Sequence, residues 1–170
     1  MTGKYTLILL ALVWTMFSCN SEDAVSPGGN IPVGGIGSSW DIPEDDIFDG
    51  GPGKDGIPAL ESPHLISVSE VTYLDDEDLV LGYKNGEEVR AYPHPILDWH
   101  EIINDKVDRH SFAITYCPLT GTGIGWDRAF DGGETTFGVS GLLYNNNLIA
   151  YDRLTDSNWS QMRLDCVNGE

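Results

Sequence analysis

Asn85-Gly86 lies between two extended-type segments, Leu79-Val80-Leu81-Gly82-Tyr83 and Glu88-Val89-Arg90-Ala91-Tyr92. An Asn-Gly pair in that setting is the strongest short-range signal for a tight β-hairpin. Similar punctuation recurs downstream. Phe112, Ile114 and Tyr116 alternate with Ala113, Thr115 and Cys117, so this strand has one bulky face and one small face, with Cys117 on the small side. Residues 122–130 read as the next strand, and Asp131-Gly132-Gly133-Glu134 turns it into residues 135–139. Leu148-Ile149-Ala150-Tyr151 follows an Asn145-Asn146-Asn147 turn. Six or so short strands at this spacing predict an α+β, mostly β fold: a curved antiparallel sheet or partly open barrel with one short helix packed on it.

The helix is expected around Pro95, which suits a first turn. Ile96, Trp99 and Ile103 recur at spacings of three and four and make one apolar stripe. His100 borders that stripe and is expected to face the sheet, and Asn104-Asp105 is expected to end the helix. Residues 41–78 read mostly as loop. Within them, Asp49-Gly50-Gly51-Pro52-Gly53-Lys54-Asp55-Gly56 lacks the Gly-Lys-Ser/Thr ending of a phosphate loop and reads as a wrapping surface loop.

The N-terminus reads as an address. Lys4 precedes an apolar run from Leu7 to Phe17, which Ser18-Cys19 closes. The charged, apolar and cleavage regions of a secretory signal are all present, and the run is too short to span a bilayer. Cysteine at the cleavage point is the arrangement of bacterial lipoproteins. Residues 1–18 are therefore expected to be a lipoprotein signal peptide, with Cys19 acylated and holding the chain to a membrane. Residues 19–39, rich in Gly and Pro with few apolar anchors, are expected to be a flexible tether. Asn20-Ser21-Glu22-Asp23 resembles the surface-export signal of Bacteroidetes lipoproteins. The expected location is the bacterial cell envelope, on the periplasmic or cell-surface side of the outer membrane.

What remains, residues 40–170, suits one domain. The 170-residue chain carries a net charge of −18, which argues against nucleic acid and anionic lipid as partners. The acidic runs Glu44-Asp45-Asp46 and Asp75-Asp76-Glu77-Asp78 read as solvated loops without EF-hand spacing. Cys117 and Cys166 are left in a compartment that permits disulfides; bridged, free and independently engaged states are all open. Asp165-Cys166-Val167-Asn168-Gly169-Glu170 reads as a strand entering a hairpin whose second strand is missing, so the domain is expected to continue beyond this sequence.

Two functional readings follow. One is a non-enzymatic binding or structural module of the envelope, with a ligand pocket drawn from Thr120, Thr122, Tyr144, Asn145, Asp152, Trp159 and Gln161. The alternative is a metal-binding or thiol-dependent redox protein centred on Cys117 and His100, with His94 as a further ligand. Thiolate and imidazole together suit copper or zinc. The same pair, with His100 deprotonating Cys117, would make a catalytic nucleophile.

Several motifs in order carry a resemblance. They are Asp49-Gly50-Gly51-Pro52-Gly53-Lys54-Asp55-Gly56-Ile57-Pro58-Ala59-Leu60, Arg90-Ala91-Tyr92-Pro93, Trp99-His100-Glu101-Ile102, and Thr115-Tyr116-Cys117-Pro118-Leu119 with Gly121-Thr122. Phe137-Gly138-Val139-Ser140-Gly141-Leu142-Leu143-Tyr144-Asn145, then Tyr151-Asp152-Arg153 with Trp159-Ser160-Gln161, complete the set. From Trp40 to Gln161 the chain resembles the bacterial domain-of-unknown-function family numbered 3179. The resemblance implies no activity. It does imply a domain that continues past the Trp-Ser-Gln segment, and in many members a Cys-Pro-Leu-Cys arrangement. Here Thr120 stands at the second cysteine, so a redox cycle built on two local thiols is not available.

Overall fold

The computed structural model describes residues 40–169. The expected signal peptide (1–18), the lipidation point Cys19 and the tether (19–39) lie outside the described residues. Strands make up 48% and helical turns 10% of the structure, which is α+β and mostly β as expected.

In chain order the strands are β1 (Ile47–Asp49), β2 (Leu60–Glu61), β3 (Val80–Asn85), β4 (Glu88–Pro93), β5 (Ile102–Val107), β6 (His110–Cys117) and β7 (Thr122–Asp127). Then come β8 (Ala129–Phe130), β9 (Gly133–Glu134), β10 (Phe137–Tyr144), β11 (Asn147–Asp152), β12 (Asn158–Ser160) and β13 (Asp165–Asn168). Helix α1 (His94–His100) separates β4 from β5. The strands do not close into a barrel. Among the described residues they form a five-stranded sheet in the order β1-β10-β11-β12-β13 and a four-stranded sheet in the order β2-β5-β6-β7, with two small hairpins, β3-β4 and β8-β9. Pairing is antiparallel throughout except for β2 and β5, which run parallel.

The hairpin at Asn85-Gly86 forms, shifted by one residue. Asn85 stays in β3 opposite Glu88, and Gly86 takes the first turn position at φ 59. A two-residue turn with positive φ at its first position favours glycine there. The turn between β10 and β11 uses Asn145 and Asn146, at φ 49 and 63, because asparagine tolerates left-handed backbone.

The helix ends earlier than its apolar spacing suggests. Glu101 adopts φ 55 while its N–H bonds the Leu97 carbonyl at 2.7 Å, and the chain leaves as β5. Ile102 and Ile103 are both buried, but on opposite faces of a strand, and Asn104 and Asp105 are strand residues rather than a helix end. Trp99 is 78% exposed, and Leu97 is the helix residue that is fully buried. A period of two took over where a period of 3.6 was expected.

Strand β6 is buried on both faces. Its bulky side, Phe112, Ile114 and Tyr116, packs with Tyr92, Leu97, Ile103 and Val107, under Leu81 and Tyr83 of the β3-β4 hairpin. Its small side, Ala113 and Cys117, meets Phe137, Val139, Leu148 and Ala150 of the five-stranded sheet. Asn104, 1% exposed, ties the sheets together: its amide donates to the Phe137 carbonyl and accepts from the Phe137 N–H, each at 2.8 Å. This is the exchange that a neighbouring backbone would make, supplied by a side chain.

Candidate functional site

Cys117 closes β6 at 2% exposure, within the core shared by the two sheets. Its thiol donates to the Asn146 carbonyl at 3.7 Å. His100, at the end of α1, engages the Pro58 carbonyl through Nδ1 at 2.8 Å. Thiol and imidazole are thus each bonded to a backbone oxygen. His94 belongs to the other face of β6: its Nδ1 lies 3.3 Å from the Tyr116 hydroxyl, and their rings sit 4.6 Å apart. Adjacent residues in a strand point to opposite sides, so a ring held by Tyr116 is turned away from Cys117. The expected ligand set of Cys117, His100 and His94 is not gathered. Among the described residues, no group of three or more His, Cys, Asp or Glu side chains is placed to hold a metal ion. Cys117 and Cys166 are both free thiols, and Cys166 donates to Asn168 O at 3.6 Å.

Of the seven expected pocket residues, the fold brings three together. Cys117 pairs with Thr122 across the β6-β7 ladder, so their side chains share a face. The Thr122 hydroxyl is 2.8 Å from that of Thr120, and it accepts from Gln161 Nε2 at 2.7 Å and Asn147 Nδ2 at 3.0 Å. Asn147 is the fourth member of this node and was not foreseen, because the sequence placed it in a turn. The other four residues serve elsewhere. Asn145 is a turn residue, and Tyr144 packs against the cluster of Ile42, Ile47, Ile149 and Val167. Trp159 meets Trp126 and Phe137 edge to face. Asp152, fully buried, organises the turn after β11: it accepts from Leu154 N, Thr155 N, Thr155 Oγ1 and Trp159 Nε1 at 2.7–3.1 Å. Burial alone would raise its pKa, but the hydrogen bonds from Thr155, Trp159 and Leu154 outweigh it and hold the carboxyl below its ordinary value.

A second group of polar residues lines an open cleft of about 390 Å³, walled by Asp55, Pro58, Ala59, Glu61, Thr136 and Arg153. Arg153, just past β11, donates to Asp55 Oδ1 at 2.9 Å and to Glu61 Oε1 at 2.7 Å. It also reaches Thr136 Oγ1 at 3.2 Å and the Phe137 carbonyl at 3.0 Å. The Tyr151 hydroxyl donates to Asp55 Oδ2. Two cations flank that ring, with Lys54 Nζ 4.1 Å and Arg153 Cζ 5.6 Å from its centre. Burial, followed by the bond to Asp55, raises the Tyr151 pKa, so its proton stays on the phenol. Asp55 sits at φ 54, pinned by its N–H to the Val139 carbonyl at 2.9 Å. Gly138 makes room for the pair: a Cβ there would lie 2.5 Å from Tyr151 Cε1 and 2.7 Å from Asp55 Oδ1.

The sequence reading missed this cleft. Its loop read as a surface wrap, and the only signal was that Asp55 and Arg153 both fall in quoted motifs, far apart in the chain. Glycine spacing cannot show that such a loop returns to the end of β11. Pro58, whose carbonyl holds His100, lines the same cleft, so the histidine supports its wall.

Fold and site together define a two-sheet, mostly β domain, with a buried thiol and a charged cleft fixed by residues far apart in the sequence. Residues 54–170 match the family model described as Protein of unknown function (DUF3179), and the chain belongs to that family. No curated protein and no solved structure matches it.

Proposed function

We propose that the protein is a lipid-anchored, non-enzymatic binding module of the bacterial cell envelope, and that the Arg153 cleft is where it meets a small polar ligand. The observation that carries this reading is the prior fixing of the cleft. Arg153 is held by partners 98 and 92 residues away in sequence, yet it and both carboxylates keep solvent-facing surface. Charged groups positioned before a ligand arrives lose little freedom on binding. Pro58 and Ala59 supply an apolar patch beside them. The backbone partners of Cys117 and His100 favour binding over thiol chemistry, since each group is already engaged by a carbonyl oxygen. The anchor rests on residues 1–19, where Cys19 follows the apolar run.

Two measurements test the reading. Expressed in a bacterium, the full-length chain incorporates a labelled fatty acid and partitions with membranes, and Cys19→Ser abolishes both. Unchanged partitioning of that variant removes the anchor. Fractionated small molecules from an envelope hydrolysate raise the thermal midpoint of the purified chain, and Arg153→Ala loses the response. A response retained by Arg153→Ala places binding outside the cleft.

A further inference from the structure

Around Thr122 the amide donors are all used and two amide acceptors are left over. Gln161 Nε2 spends both protons on Thr122, one on the hydroxyl at 2.7 Å and one on the backbone carbonyl at 3.1 Å. Asn147 Nδ2 spends both on hydroxyls, Thr120 at 2.8 Å and Thr122 at 3.0 Å. The Thr122 oxygen therefore accepts twice, and its own proton goes to Thr120 Oγ1 at 2.8 Å. Gln161 Oε1 and Asn147 Oδ1 remain, both buried and both without a hydrogen-bond partner. Rotating the Gln161 amide does not help, because Oε1 would then face the Thr122 carbonyl, acceptor against acceptor.

Buried polar atoms are almost always paired, so two bare amide oxygens in one node, on side chains 4% and 0% exposed, require an occupant. That occupant must bring protons or positive charge, because both orphaned atoms are acceptors. We propose that Asn147 and Gln161 hold a small monovalent cation, an alkali ion or ammonium, partly stripped of water beside the turn that follows Cys117. The available oxygens are neutral: they are two side-chain amides. Neutral oxygens suit a single charge, whereas divalent ions draw on carboxylates. The net charge of −18 raises the local concentration of any cation. This site is independent of the Arg153 cleft.

The test uses the full-length chain in non-ionic detergent, unfolded by heat in sodium, potassium, ammonium or choline chloride at one ionic strength. Choline is too large to enter. At ten times its dissociation constant, a fitting cation raises the midpoint over choline by about 4 °C. Gln161→Met, which removes Oε1, loses that rise. Asn147→Asp, which adds a charge at the same position, enlarges it, with Thr120 free to donate its proton to the new carboxylate. Identical wild-type midpoints in all four salts overturn the proposal and leave a buried water as the occupant. An undiminished rise in Gln161→Met overturns it too, by moving the cation elsewhere. Should Gln161→Met not fold, the wild-type series and Asn147→Asp still decide.

Discussion

Tyr151 donates its hydroxyl proton to Asp55, a residue 96 positions earlier, and this bond fastens the glycine-rich loop onto the end of β11. Asp55 reaches it from left-handed backbone, and Gly138 leaves the space through which it approaches. The cleft depends on that fit.

Gly138→Ala is therefore expected to destabilise the protein by about 1–3 kcal/mol, as overpacking does where neighbours are held in place. Tyr151 and Asp55 cannot both give way without breaking their bond. Urea unfolding of the variant measures the loss, and an unchanged midpoint would show that the loop yields easily.

Asn104→Ala is expected to cost about 2–4 kcal/mol. The Phe137 N–H loses its acceptor inside the core, and a small cavity opens between the sheets. The Phe137 carbonyl keeps Arg153 as a donor, so the penalty comes chiefly from the orphaned N–H. Chemical denaturation reads it directly. A cost under half a kilocalorie would mean that the two sheets are not joined through this side chain.

Asp152 gives stability a defined pH dependence. Its carboxyl titrates below its ordinary value of 3.8 in the fold. A depressed carboxyl stabilises fully above its unfolded pKa, and that contribution is lost as pH falls from there through the folded value. Asp152→Asn should thus be less stable than wild type at pH 5, with the gap narrowing below pH 3.8. Parallel stability curves across that window would contradict the assignment.

Native Cys117 should react slowly with thiol reagents. In a Cys166→Ser background, its modification is expected to run at least about a hundredfold slower than in denaturant, because a sealed thiol waits for local opening. Timed alkylation followed by mass spectrometry gives the ratio. Rapid labelling under native conditions would point to an exposed thiol and revive it as a nucleophile.

Much of the fold could be read from local chemistry. The bulky and small faces of β6 follow from strict alternation, and both faces pack as that alternation requires. Asn145, Gly86 and the Asp131-Gly132 turn sit where residues tolerant of tight turns were expected, although Gly133 and Glu134 already belong to β9. The helix was misjudged because Ile96, Trp99 and Ile103 satisfy a helical spacing, while Glu101 breaks the backbone between them. No propensity scale flags glutamate at φ 55. The single sheet became two because alternation on β6 reports burial on both sides without saying which strands supply the second layer.

The candidate site was less legible. Thr120, Thr122 and Gln161 are named for the pocket on sequence grounds, and they do converge. Asp152 and Trp159, named for the same pocket, brace a turn and a core instead. Polarity near apolar sequence reveals a need for partners, not whether those partners are protein or ligand. Asp55, Glu61 and Arg153 are joined only by long-range closure, which one sequence does not display.

That closure has a consequence for synthesis. The loop bearing Asp55 leaves the ribosome roughly a hundred residues ahead of Tyr151 and Arg153, its anchoring partners. Until they emerge it has nothing to grip, so the nascent chain carries an unformed cleft through most of translation. If the chain is exported unfolded, the cleft can close only on the far side of the membrane.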